Sequence, residues 1–209
     1  MNFTQKLIGA AFAVLLLGTL NPASAQQMTL DVNGGASQPI GSNYDDWETG
    51  YSLGASGFIW VAERFAIGGR FGYSKWTPNE SSFSEAVEDL LNIDVSGSTT
   101  ILEILPSVRI RTAYEDSPLN FFGQAGLGLY MIKTETSIKG ELVGVPVETV
   151  FDDGDWIGRF GASLGAGISI GSARSFTIDI FPLYNLVNAG SDESAFQYFT
   201  ANVGLSFHI

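Results

Sequence analysis

The sequence predicts an all-β fold, an eight-stranded antiparallel up-and-down transmembrane β-barrel, and three observations lead to it. Apolar side chains alternate with small polar ones in eight segments of the chain, as in strands that present two different faces. The connections between these segments are alternately short and long, which is typical of barrels with short periplasmic turns and longer extracellular loops. The chain also opens with a segment that has the composition of an export signal.

The amino-terminal segment is expected to direct export. Lys6 makes its start positive, Leu7 to Leu20 is an apolar stretch, and Ala23-Ser24-Ala25 is a small-residue cleavage site. The apolar stretch is shorter than the roughly 20 residues that a helix needs to cross a bilayer. We therefore expect residues 1–25 to be a cleaved signal peptide and residues 26–209 to form a single β-barrel domain. The chain has no cysteine, which excludes disulfides and thiol chemistry.

The strand-like segments are separated by turn-forming residues. The segments cover roughly residues 27–37, 48–62, 64–76, 96–113, 119–134, 154–171, 174–187 and 194–209. Short turns are expected at Glu63, at Tyr114 to Pro118 and at Ser172-Ala173. The longer connections are residues 38–47, 77–95, 135–153 and 188–193. With an even number of strands, both termini are expected on the periplasmic side.

Each segment has a face of small polar residues and an apolar face. In the last segment, Thr200, Asn202 and Ser206 share the polar face. A soluble barrel of the lipocalin type would carry many Lys and Glu on its polar face, whereas small residues suit a narrow lumen. The apolar faces are therefore expected to meet lipid. Aromatic residues cluster near the segment ends like interfacial girdles, with Phe65, Phe121, Phe176 and Phe207 below and Tyr51, Tyr73, Trp156 and Tyr184 above.

Register is ambiguous only near Phe58 to Trp60. Phe58 and Trp60 fall on the predicted lumen face, beside Ile59 on the outer face. A β-bulge at this point would shift the register.

Charged residues on the polar faces form the candidate functional site. Four arginines meet three acids there, and pairing across the lumen would block free passage, because an unpaired charge is costly to bury. The alternative is a charge-lined pore. The seven residues of this lumen charge network are Asp31, Arg70, Glu103, Arg109, Arg111, Arg159 and Asp179. Counting positions from the predicted strand ends places Glu103 and Arg159 higher in the barrel and the other five lower.

The predicted outer end is acidic, and the chain as a whole has a formal net charge of -12. Such a surface repels nucleic acid and attracts divalent cations or basic partners. Phe151 to Trp156 resembles part of an acidic calcium loop but lacks its closing Glu, so a turn using Gly154 is expected, and no metal ligands are assigned. Ser82 to Glu85 fits a capping box, and Phe83, Val87, Leu90 and Leu91 then follow at helical spacing.

Catalysis is not expected. Acyl transfer at the rim of a barrel would need a nucleophile and a base together. The single histidine, His208, lies at the periplasmic end on the predicted lumen face. No cofactor is implied.

The chain resembles the small outer-membrane β-barrel proteins of the OmpX, OmpA-barrel and OmpW-like group, a resemblance that rests on the strand pattern of residues 26–209. The closing segment Gly204-Leu205-Ser206-Phe207-His208-Ile209 is similar to the assembly signal of that group, with Gly204, Leu205, Phe207 and Ile209 as its signal residues, although it ends in Ile209 instead of an aromatic residue. The resemblance implies insertion by the barrel-assembly machinery, contact with outer-membrane lipid and lipopolysaccharide, and a role in envelope structure or surface interaction.

Four functions are thus open at this point. The favoured one is an outer-membrane barrel with a polar, plugged lumen and acidic outer loops. The others are a narrow channel for small or apolar solutes, a soluble lipocalin-like barrel, and a lipid A-modifying enzyme.

Overall fold

The computed structural model describes residues 27–41, 47–77, 93–112, 117–142, 145–151, 154–172, 176–188 and 195–209. These residues form nine strands, which are β1 (Met28–Ile40), β2 (Gly50–Ala62), β3 (Phe65–Trp76), β4 (Ile93–Arg111), β5 (Leu119–Leu142), β6 (Val145–Phe151), β7 (Ile157–Ser172), β8 (Phe176–Val187) and β9 (Phe196–His208). Within the described ranges, no helix is long and apolar enough to cross a membrane.

Eight of these strands close into a barrel. β1 pairs with β2 on one side and with β9 on the other, and β4 pairs with β5, which continues the ring through β7 and β8 to β9. Every pair in the ring is antiparallel. The predicted eight-stranded up-and-down barrel is confirmed.

Residues 135–153 were expected to form a loop, but the structure has strands in most of this region. β5 runs on to Leu142, and its last part pairs with β6, from Thr136 with Phe151 to Leu142 with Val145. β4 begins earlier than expected and pairs with β5 as far as Gly140. The stretch carries Lys139, Gly140 and Glu141, charged and turn-forming residues that resemble a loop in sequence.

The irregularity near Phe58 to Trp60 is a β-bulge just beyond those residues. Trp60 pairs with Ala66 and Ala62 pairs with Phe65, which leaves Val61 as the extra residue. Phe58 and Trp60 nevertheless stay on the inner face, where they are 1% and 9% exposed.

Two expectations concern the connections. Gly154 has a φ of 26°, as expected for a turn that uses glycine. The capping box at Ser82 to Glu85 and its helix lie outside the described residues, as does the signal segment.

The two faces of each strand differ as the alternation predicts. Along β8, buried and exposed residues alternate without exception. Leu127, Leu164 and Val203 on the outer face are 60%, 65% and 56% exposed, although all three are large and apolar. On the inner face, Thr200 and Asn202 are fully buried although both are polar. The packed core of this protein is therefore the barrel lumen.

Candidate functional site in the lumen

Six of the seven predicted network residues are buried inside the barrel. They separate into two groups, one near the end with the termini and one further up. The buried six are Asp31, Arg70, Glu103, Arg109, Arg111 and Asp179. Arg159 is only half-buried, and it lies opposite Tyr130 in the β5 and β7 pairing.

The lower group is centred on Arg109 of β4. Its Nη2 lies 2.7 Å from Oδ2 of Asp31 on β1, and its Nη1 lies 3.4 Å from Oδ2 of Asp179 on β8. Nη2 also donates a hydrogen bond of 3.0 Å to Oε1 of Gln124. One guanidinium thus links strands on three sides of the lumen, because its planar fork can serve two carboxylates.

Asp179 is held by two hydroxyl groups as well. Ser206 Oγ donates to its Oδ2 over 2.8 Å, and Thr177 Oγ1 donates to its Oδ1 over 3.1 Å. These hydrogen bonds satisfy acceptor positions of the carboxylate that burial would otherwise leave unpaired.

Aromatic rings enclose the arginines of the lower group. The guanidinium carbon of Arg109 lies 4.4 Å from the ring centre of Phe58 and 4.6 Å from that of Phe122. Arg111 lies 4.0 Å above Trp60 and donates from Nε to the carbonyl of Glu63 over 2.9 Å. Such stacking favours Arg, whose delocalised cation is weakly hydrated. The arginines and rings fill this level of the lumen together.

His208 closes the lower group through a chain of hydrogen bonds. Trp60 Nε1 donates to Thr29 Oγ1 over 2.8 Å, and Thr29 Oγ1 lies in turn 3.2 Å from His208 Nδ1. Thr177 Oγ1 gives its one proton to Asp179, so His208 Nε2 donates to Thr177 Oγ1 at 3.3 Å. Among the described residues, Nδ1 is hydrogen-bonded to the Thr29 hydroxyl and to no carboxylate, whereas a hydrolytic triad requires a carboxylate there.

The middle of the lumen contains small polar side chains. Ser52 Oγ donates to Asn202 Oδ1 over 2.9 Å, and Asn202 Nδ2 donates to Thr200 Oγ1 over 2.7 Å. Elsewhere in the lumen, the buried hydroxyls of Ser37 and Ser74 have no hydrogen-bond partner among the described residues. The lumen thus also contains polar groups that are not cross-linked.

The upper group joins Arg70, Glu103 and Tyr198, so Arg70 belongs here and not to the lower barrel as expected. Tyr198 Oη donates to Glu103 Oε1 over 2.7 Å, and Arg70 Nε lies 3.6 Å from Glu103 Oε2. Gly72 faces Glu103 across the β3 and β4 pairing. A Cβ at Gly72 would lie 2.7 Å from the carboxyl carbon of Glu103, so the glycine makes room for that carboxylate.

An aromatic layer covers the upper group. Trp76 and Tyr198 meet edge to face with ring centres 5.1 Å apart, and Tyr130 meets Tyr198 at 6.4 Å. All three side chains are buried. Trp47 packs against this layer from the connection before β2. Sequence reasoning missed the layer, although Trp76, Tyr130 and Tyr198 have the strand parity of Ser74, Gly128 and Asn202, and this parity was the available signal.

The predicted assembly residues lie at the seam where the ring closes. Leu205, Phe207 and Ile209 face outward, and Gly204 faces the lumen. Met28 and Ile209 exchange two backbone hydrogen bonds of 2.9 and 2.8 Å. No group of three or more His, Asp or Glu side chains that could hold a metal occurs in the part of the chain that the structure describes.

Comparison with known proteins relates this chain to others by structure. No protein-family model matches it, and no curated protein sequence matches it. The attachment invasion locus protein Ail of Yersinia pestis, solved with the heparin analogue sucrose octasulfate, superimposes with a TM-score of 0.50 at 14% identity, covering 89% of this chain and 100% of Ail. Neisserial surface protein A gives 0.48 at 11% identity, with coverage of 86% and 96%.

The outer membrane enzyme PagL also matches, with a TM-score of 0.45, 13% identity and coverage of 86% of this chain and 98% of PagL. At these identities the likeness concerns the fold alone. The fold is that of the eight-stranded outer-membrane β-barrels.

Proposed function

We propose that this protein is an integral outer-membrane barrel with a plugged lumen, which acts in envelope structure or through surface contacts of its acidic outer loops. The observation that carries the proposal is the inverted distribution of polarity. Ion pairs such as Arg109 with Asp31 are buried inside the wall, while Leu127 and Leu164 are exposed outside it. An apolar surface of this extent is stable in a lipid bilayer and prone to association in water.

The same distribution argues against a soluble lipocalin-like barrel. Such a barrel would hold an apolar ligand in an apolar interior and turn its charges to water. Here the interior contains Arg70, Glu103, Arg109 and Asp179, all buried.

Two full layers support the plug. The lower layer consists of Arg109 with the rings of Phe58 and Phe122, and the upper layer consists of Trp76, Tyr130 and Tyr198. An eight-stranded barrel is only wide enough for its own side chains. With two layers in series, neither ions nor solutes have a continuous path.

The proposed surroundings follow from an outer-membrane location. The barrel-assembly machinery would read the strand that carries Leu205, Phe207 and Ile209, after cleavage of the signal peptide at residues 1–25. Lipid and lipopolysaccharide would surround the wall. The net charge of -12 favours divalent cations or basic partners at the loops and disfavours polyanions such as the sulfated ligand in the Ail structure.

Electrophoretic mobility tests the location and the fold together. Protein from a detergent-extracted outer-membrane fraction is run in SDS with and without boiling, because closed barrels resist SDS until heated. We expect a mobility shift on boiling. A soluble periplasmic protein without a shift would replace this proposal with the lipocalin-like one.

A narrow channel is the second candidate, and polar groups of the lumen without a protein partner favour it. The hydroxyls of Ser37 and Ser74, which have no hydrogen-bond partner among the described residues, suit ordered water. A channel predicts conductance in planar bilayers that rises in Glu103→Ala or Arg159→Ala. If the current does not change in either variant, the channel is wrong and the plug stands.

That the protein is not an enzyme stays a prediction. The nitrogens of His208 are engaged by Thr29 and Thr177 at the periplasmic end, which supports it. An unchanged lipid A mass spectrum on overexpression is the expected result, and altered acylation would contradict it.

A further inference from the structure

One half of the outer wall carries two lysines on one line of the strand register. In the strand register, Tyr51 of β2 lies opposite Lys75 of β3, Lys75 lies opposite Thr100 of β4, and Thr100 lies opposite Lys133 of β5. All four side chains face outward by strand alternation. The lysines are thus two strand spacings apart, roughly 10 Å between backbones, which two long side chains can bridge around one anion.

The row beneath the lysines is apolar. It consists of Leu53, Tyr73, Leu102 and Met131, which lie opposite one another in the same register. The rings of Tyr51 and Tyr73 lie 5.9 Å apart at the step between the two rows. Tyrosine at this step and lysine directly above it are typical of the boundary between hydrocarbon and headgroups.

The lysine row lies at an end of the molecule whose connections are rich in acidic residues. Lys133 Nζ donates a hydrogen bond to Oε1 of Glu135, and this contact, with a smaller contribution from the charge of Lys75, holds the pKa of Glu135 below its ordinary value. Among the side chains that the structure describes on the outward face of this end, the basic ones are Lys75 and Lys133.

We propose that Lys75 and Lys133 bind the phosphate of a phosphorylated lipid in the outer leaflet. The inference rests on the proposed membrane location. The lysines lie at headgroup height, and phosphate is the anion that a bilayer presents there. Acidic loops above the row repel anions from solution, whereas a lipid reaches the lysines by diffusing within the leaflet. The bound molecule is therefore a lipid and not free phosphate.

The test is lipid binding by the detergent-solubilised barrel. Purified protein is titrated with lipid A in neutral mixed micelles, and its intrinsic tryptophan fluorescence is followed. Each lysine near a charged headgroup contributes about a fivefold change in affinity. We expect Lys75→Gln and Lys133→Gln each to weaken binding about fivefold. Glu135→Gln should strengthen it, because the carboxylate no longer competes for Lys133.

Controls separate a phosphate site from other effects. Arg64→Gln, at the opposite end of the barrel, should leave the affinity for lipid A unchanged. Lipid A without its phosphates should bind with equal affinity to the wild-type protein and to the double variant Lys75→Gln, Lys133→Gln. Equal binding of phosphorylated and dephosphorylated lipid, or full competition by millimolar inorganic phosphate, would overturn the inference. The boiling shift in SDS is measured on every variant, so failure of the membrane barrel itself is distinguished from failure of the lysine site.

Discussion

Nη2 of Arg109 lies 2.7 Å from Oδ2 of Asp31, and this contact joins β4 to β1 across the lumen. Two strands, β2 and β3, separate the partners along the wall. The same guanidinium reaches Asp179 on β8. Because the partners belong to distant strands, the pair ties together parts of the ring that wall hydrogen bonds connect only indirectly.

Arg109→Ala should therefore destabilise the barrel strongly. It leaves Asp31 and Asp179 buried without their shared cation, and breaking a buried pair in this way costs about 3–5 kcal/mol. The measurement is urea unfolding of the protein refolded in detergent. Arg64→Ala at the β2 and β3 turn is the control and should have little effect. Adding Asp31→Asn and Asp179→Asn to Arg109→Ala should recover part of the loss; an unchanged urea midpoint in Arg109→Ala would contradict this account.

The Tyr198 hydroxyl should contribute far more to the free energy of unfolding than a surface tyrosine hydroxyl does. It donates to the buried carboxylate of Glu103, and a hydrogen bond to a charged group contributes about 1.5–3 kcal/mol. Tyr198→Phe should lower the free energy of unfolding by that amount. Tyr184→Phe is the matched control, because its hydroxyl bonds Gln197 at an exposed position, and we expect a change below about 0.5 kcal/mol. Equal effects of the two variants would show that the Glu103 contact is not significant.

Two neighbouring glycines of β3 should respond differently to alanine. A Cβ at Gly72 would lie 2.7 Å from Glu103, which Tyr198 holds in place, whereas a Cβ at Gly69 would have only the Leu105 carbonyl oxygen nearby, at 3.8 Å. Overpacking of this kind costs about 1–3 kcal/mol. Gly72→Ala should lower the temperature at which heating in SDS produces the mobility shift, and Gly69→Ala should leave that temperature unchanged. The reverse order would mean that the lumen has room at Glu103.

The two blocking layers should act in series. Phe58→Ala with Arg109→Ala opens the lower layer, and Trp76→Ala with Tyr198→Ala opens the upper one. We expect neither pair alone to produce conductance in planar bilayers, because the other layer still blocks the path, and we expect the quadruple variant to conduct. Variants that keep the SDS mobility shift are the ones compared. Conductance from a single pair would show that only one layer is a barrier.

The sequence by itself determined the strands and the two faces of the wall. Alternation is local, with a period of two residues, so Asn202 and Thr200 could be assigned to the lumen and Leu205 to the outer face without knowing any contact. It left the register near Phe58 to Trp60 open, and the structure decided it, with a bulge at Val61 and with Phe58 and Trp60 inside. The same local rule missed β6, a strand of seven residues that follows the charged and glycine-containing stretch Lys139 to Glu141.

Only the tertiary structure decided which lumen residues meet. The partners of Arg109 depend on the stagger of strands around the closed ring, and closure is a property of all eight strands at once. The charged residues and their lower and higher levels were therefore readable, but the pairing of Arg70 with Glu103 was not. The same reason applies to the aromatic layer of Tyr198, Trp76 and Tyr130. Ring closure brings side chains from distant strands to one level, and a local sequence pattern does not predict which of them will meet.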